Sequence, residues 1–198
     1  MRRFPFLLAA ALALSACLPV TTKSPLGSTA GLKADPALYG MWEAKPESDP
    51  DHAKHIVFLA ILPGDDGAAT AVFFDLPQPL KSADWAHYAI TTTALGPYRY
   101  INARAVTTDG HPADDAEAQT TFPLLYRFDA SDKLTLYLID EDAAKAAVND
   151  GKIAGTVARE SYGDVVLTAA PAALDAYFAS GAGRALFTKP LLVMRRVK

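Results

Sequence analysis

This 198-residue chain predicts a mainly β domain of the α+β class: an antiparallel sheet, partly closed into a barrel, with two helices in its last third. Three patterns carry that prediction. Six β-branched and aromatic runs fall into three pairs joined by short turns, and strands so joined pair antiparallel. The run from Ile56 to Leu62 is apolar on both alternating faces, which a sheet wet on one side would not show. Either helices cover the second face or the sheet curls so that its inside is filled. After Asp140 the apolar spacing changes to a helical one.

The domain is expected to begin near Leu38-Tyr39-Gly40-Met41-Trp42, followed by a charged loop from Glu43 to Lys54 with Pro46 and Pro50. Lys54 to Leu62 and Ala69 to Leu76 form the first predicted hairpin, where Asp65-Asp66-Gly67 supplies a glycine for a positive φ. Trp85 to Ala94 and Tyr98 to Val106 form the second, turning at Leu95-Gly96-Pro97. Thr121 to Phe128 and Lys133 to Ile139 form the third, turning at Asp129-Ala130-Ser131-Asp132. Asp140 can cap a helix from Glu141 to about Val148, which ends at Asn149-Asp150-Gly151. A strand follows, clearest at Val165-Val166-Leu167. Pro171 suits the first turn of a second helix, and Leu174, Tyr177 and Phe178 share one of its faces. Leu191-Leu192-Val193-Met194 closes the chain as a strand, with Arg195 and Arg196 at its end.

The amino terminus has a different character. Arg2 and Arg3 precede an apolar run from Phe4 to Leu14, too short for the roughly 20 residues a membrane span needs. Leu14-Ser15-Ala16-Cys17 follows, and Cys17 is the chain's sole cysteine. A positive n-region, a short apolar segment and small residues before a cysteine make this stretch resemble the lipobox of bacterial lipoproteins. The resemblance implies that residues 1–16 are a signal peptide and that Cys17 carries a diacylglyceryl group and often a further acyl chain. It also implies a protein anchored to a bacterial membrane, the outer membrane favoured, with its domain facing the periplasm. Residues 17–36, rich in Pro, Thr, Ser and Gly, are expected to form a flexible tether. Residues 37–198 then make one globular domain, of a size that builds one core.

Loss of Arg2 and Arg3 would remove two positive charges, taking the formal charge from −3 to −5. A mildly acidic surface argues against nucleic acid, whose binders carry clustered positive charge. It offers no polybasic patch to anionic lipids, so the acyl chains alone must hold the anchor, at about 0.8 kcal/mol per buried CH₂. With Cys17 lipidated, no thiol remains for a disulfide, a metal or nucleophilic catalysis.

Gly40-Met41-Trp42 is similar to the G-x-W motif of lipocalins and related calycins. That resemblance implies a tryptophan closing the floor of a barrel and an arginine from near the last strand packing on it, a part open to Arg195 or Arg196. A core tryptophan at a strand start would read the same way. Tyr98-Arg99-Tyr100-Ile101-Asn102-Ala103-Arg104 is the most unusual strand. Period-two geometry puts Tyr98, Tyr100, Asn102 and Arg104 on one face. Rings beside an amide and a guanidinium could line a polar pocket, or form the outside of a sheet.

Nothing else points to chemistry. Thr108 to Glu117 gathers carboxylates and His111 without the spacing of a calcium loop, and reads as a solvated acidic loop. His52, His55, His87 and His111 are scattered, and the spacing of Ser82, Asp84 and His87 recommends no triad. No catalytic residue, metal ligand or cofactor is assigned. The expectation is a monomer attached to the membrane through Cys17, holding a small amphiphilic ligand or docking an envelope partner. An envelope hydrolase with an unrecognised site and a protein-binding or inhibitory module are the alternatives.

Overall fold

A computed structural model describes residues 20–28, 31–44, 55–64, 67–77, 84–108, 110–114, 118–130, 132–157 and 165–198. Eight strands form a closed antiparallel barrel in chain order: β2 (Gly40–Ala44), β3 (His55–Pro63), β4 (Ala69–Pro77), β5 (Asp84–Leu95), β6 (Tyr98–Thr108), β8 (Phe122–Ala130), β9 (Lys133–Leu138) and β12 (Pro190–Arg196). Each pairs with the next, and β12 returns to β2, where Arg196 opposes Trp42. A two-residue strand, β7 (His111–Pro112), adds to the rim of β6. Closure removes the exposed sheet edges that would otherwise template aggregation.

The three expected hairpins are the backbone of this meander. Gly67 and Gly96 sit at the first two turns with φ of 79° and 59°, backbone that side chains resist. The pairings Ile61↔Ala71, Ile90↔Ala103 and Leu124↔Leu138 set the register in which alternate residues point inward. The sheet therefore curls, and its inside becomes the principal core. On the outer face of β3, Ile56 and Phe58 are half-buried and Leu62 is exposed.

A second layer covers β6, β8 and β9. It consists of α1 (Glu141–Asn149), α2 (Pro171–Phe178), the single turn α3 (Gly181–Arg184) and a three-stranded sheet. That sheet comprises β1 (Val20–Thr22), β11 (Val165–Leu167) and β10 (Gly155–Val157). Asp140 caps α1 by accepting from the Ala143 N–H at 2.9 Å, and Pro171 opens α2, as their residue types predict. α3 is a third helix beyond the two expected, too short to leave a periodic signal. The second core gathers Leu125 and Tyr137 from the outer barrel wall with Leu174, Phe178, Phe187, Val20 and Leu26. Among the described residues, no helix is long and apolar enough to cross a membrane.

Residues 20–28 and 31–36, within the stretch expected as a tether, make contacts with the barrel and the second layer. β1 pairs parallel with β11, Val20 and Leu26 are buried, and Lys33 hydrogen-bonds Thr92 on the barrel through its backbone. A stretch rich in Pro, Thr and Ser packs because Val20 and Leu26 fill the second core while its backbone groups find partners. Among the described residues, packing thus reaches back to Val20. Cys17 and the lipobox lie outside the described residues, as do His52, Ser82, Asp109 and residues 115–117.

Candidate functional site: the barrel lumen

The inward positions of the eight strands divide into a packed floor and a cavity. On the floor, Trp42 is fully buried and its Nε1–H donates to the Leu38 carbonyl at 2.8 Å. Leu38 belongs to a 3₁₀ turn (Pro36–Leu38) capped by the Asp35 carboxylate, which accepts from the Ala37 N–H. The same carboxylate accepts from Tyr126 Oη at 2.8 Å. Burial, and then that bond to Asp35, push the Tyr126 phenol above its ordinary pKa.

Arg196 closes the floor from outside. Its guanidinium lies over the Trp42 ring, 4.2 Å from the centroid, and donates to the carbonyls of Tyr39 and, at 2.7 Å, Ala37. Of the two candidate arginines, Arg196 stacks and Arg195 is exposed. Gly40 permits this approach, because its φ is 128° and a Cβ there would meet Arg196 Nη1 at 2.7 Å.

The rest of the lumen holds a cavity of about 50 Å³. Its walls are Leu59, Ile61, Ile90, Ile101, Leu124 and Leu136, the rings of Phe73, Tyr88 and Phe122, and Leu191 and Leu192 near the rim. Ala71 and Ala103 create the space, since a larger side chain at either would occupy it. Eight strands enclose an interior that side chains can just fill or that holds one small ligand. Among the lining residues only Tyr88 carries a polar side-chain atom, and none carries a charge. Such a wall can take a small aliphatic group of a few carbons out of water, worth about 0.8 kcal/mol per CH₂. It supplies no nucleophile and no acid–base pair.

The four residues predicted to line a polar pocket share one face of β6, as alternation requires, but that face is the outside of the barrel. Tyr100 is fully buried under α2: its hydroxyl donates to the Phe178 carbonyl at 2.8 Å, and the two rings meet edge to face at 5.6 Å. Burial, and then Tyr98, push its phenol well above the ordinary value. Asn102 clamps the N-terminal segment, its Oδ1 accepting from the Leu26 N–H at 2.8 Å and its Nδ2 donating to the Leu26 carbonyl at 3.0 Å. Tyr98 is half-buried and Arg104 exposed. The polar groups of Tyr100 and Asn102 are thus spent on holding the second layer. The alternating partners Ile101 and Ala103 line the lumen.

Of the histidines, His87 is half-buried and His111 exposed, and they flank the end of β6, where His87 pairs with Thr107 and His111 with Thr108. Among the described residues, no group of three or more His, Cys, Asp or Glu side chains could hold a metal ion. The lumen itself was missed by inspection of single residues; the signal for it was the row of alanines at inward positions, Ala71, Ala86, Ala103 and Ala105.

The class that this architecture defines is an eight-stranded up-and-down β-barrel with an apolar lumen. No family model, curated protein or solved structure matches the chain.

Proposed function

We propose that the protein is a lipid-anchored envelope protein, held through Cys17, whose barrel takes the apolar part of a small amphiphilic molecule without chemically changing it. The observation that carries this reading is the cavity between Ala71, Ala103, Phe73 and Phe122, bounded by side chains that offer contact and no chemistry. A polar group buried there would lose its hydrogen bonds with water at a cost of about 2–7 kcal/mol. The polar end of the ligand therefore stays at the rim while the apolar end enters. The Gly40-x-Trp42 floor with Arg196 stacked on it supports the calycin-like side of the reading, and the lipobox supports the envelope location.

The test is a titration of the folded domain with single-chain amphiphiles, followed by thermal stability, on the wild type, Ala103→Leu and Arg104→Ala. Saturation at a hundred times Kd should stabilise the wild type by about 2.7 kcal/mol. Ala103→Leu should lose that gain because leucine fills the cavity, and Arg104→Ala should keep it. If Ala103→Leu responds like the wild type while Arg104→Ala does not, the lumen is not the site.

A further inference from the structure

Among the described residues six large apolar side chains are exposed, and four of them share one region of the barrel's outer wall. Met41 on β2 is 47% exposed, Leu62 on β3 53%, Val193 on β12 44% and Val197, just past β12, 40%. Alternation fixes their direction. Trp42, Ile61 and Met194, beside them in the chain, are buried inside, so Met41, Leu62 and Val193 point out. The Val197 N–H donates to the Met41 carbonyl, which sets the two residues side by side.

Cross-strand register continues this apolar surface in two rows. Met41 pairs with Ala60 and Ala60 with Val72; in the next row Glu43 pairs with Phe58 and Phe58 with Phe74. Ala60, Val72, Phe58 and Phe74 are all half-buried. The wet face of an antiparallel sheet ordinarily carries polar residues. A contiguous apolar surface in its place marks a site of association.

The charges in these rows decide what covers it. Arg195 and Glu43 have opposite signs and pair directly across the β12–β2 seam, in line with Phe58 and Phe74. A bilayer would have to take both charges out of water, which is costly. A second copy of the chain meets them instead: a two-fold axis passing between the two residues sets each Arg195 against the partner's Glu43, and apolar row against apolar row. We propose that the outer wall of β3, β2 and β12 is the interface of a symmetric dimer, with Met41 beside the axis. Residue types alone led to the expectation of a monomer. The dimer depends on neither the lumen nor the lipid on Cys17, so each stands or falls separately.

A residue beside a two-fold axis lies close to its own copy, which cysteine crosslinking detects. The experiment treats cells making the whole chain with a short bis-maleimide, comparing Met41→Cys with the wild type, whose sole cysteine is Cys17, and with Arg104→Cys on the outside of β6. Val197→Cys replaces Met41→Cys if that variant does not fold. A product of twice the chain mass should form with Met41→Cys and with neither control. Adding Leu62→Glu should lower its yield about tenfold, as loss of an interface anchor does. Adding Glu43→Arg should lower it similarly, and Arg195→Glu on top of that should restore it, because the charges are then reversed on both copies. No dimer through Met41→Cys, as much dimer through Arg104→Cys, or an adduct with a different protein would overturn the proposal. So would a loss from Glu43→Arg that Arg195→Glu does not restore.

Discussion

Arg196 and Trp42 come from the two ends of the barrel meander and meet at its closure, with the guanidinium 4.2 Å from the ring centroid. The pair joins four separate contributions: the β12–β2 seam, the 3₁₀ turn whose Leu38 carbonyl accepts from Trp42, the two carbonyls that Arg196 caps, and the glycine that lets it approach. A planar guanidinium can stack on the indole and serve two carbonyls at once. An ammonium cannot do all three. Trp42→Ala should lower stability by about 3–5 kcal/mol, as large core truncations do. Arg196→Lys should lower it by about 1–3 kcal/mol although the charge is kept. Urea unfolding midpoints measure both, and a lysine variant as stable as the wild type would mean that charge alone matters.

Asn102 separates a structural from a ligand-binding role for the outer face of β6. Asn102→Ala leaves the buried Leu26 N–H and carbonyl without their partner, and each such group costs about 1–3 kcal/mol. The expected result is a loss of about 2–5 kcal/mol in stability, together with faster proteolysis of residues 20–28. Arg104→Ala, at an exposed position, should stay within about 0.5 kcal/mol of the wild type. Equal effects of the two substitutions would show that the clamp on Leu26 carries little.

Much of the fold was legible because it depends on local rules. Three hairpins with turn residues at Gly67 and Gly96, the cap at Asp140 and Pro171 at the start of a helix each follow from a few neighbouring residues. Which face of a strand meets which layer is a long-range matter. Tyr98, Tyr100, Asn102 and Arg104 do share a face, but only the folded barrel decides that Ile101 and Ala103 look into the lumen and Tyr100 looks at Phe178. Residues 20–28 show the same dependence on distance. Their composition is that of a linker, and their contacts in the second layer rest on Val20, Leu26 and distant partners such as Asn102, Val165 and Thr121.

Alkali tests the two buried phenols. Tyr100 and Tyr126 both have pKa values raised above the ordinary tyrosine value of about 10, chiefly by burial. A raised folded-state pKa means that their contribution to stability is fully present below the unfolded value and is lost as pH rises through the folded one. Each tyrosine should therefore steepen the fall in stability above about pH 10 by up to about 1.4 kcal/mol per pH unit. Phenolate absorbance from these two should appear only as the strand circular dichroism disappears, and Tyr100→Phe should flatten the slope. Smooth ionisation of every tyrosine in the folded protein would refute their burial.

The anchor has its own test. Intact mass of the protein taken from a bacterial membrane fraction should correspond to a chain beginning at Cys17 plus its acyl groups, and Cys17→Ala should move the protein out of that fraction. An unmodified chain cut elsewhere would remove the lipidation reading while leaving the barrel untouched.

The most direct measurement for the central claim is a crystal structure of the domain soaked with a single-chain amphiphile brominated at its tail, with the bromine located by anomalous scattering. The lumen reading predicts one bromine site inside the barrel among Ile101, Phe122 and Leu136, with the polar end at the rim beside Leu191 and Leu192. Bromine on the outer face of β6 beside Arg104, or no ordered bromine at a concentration that saturates binding, would contradict it.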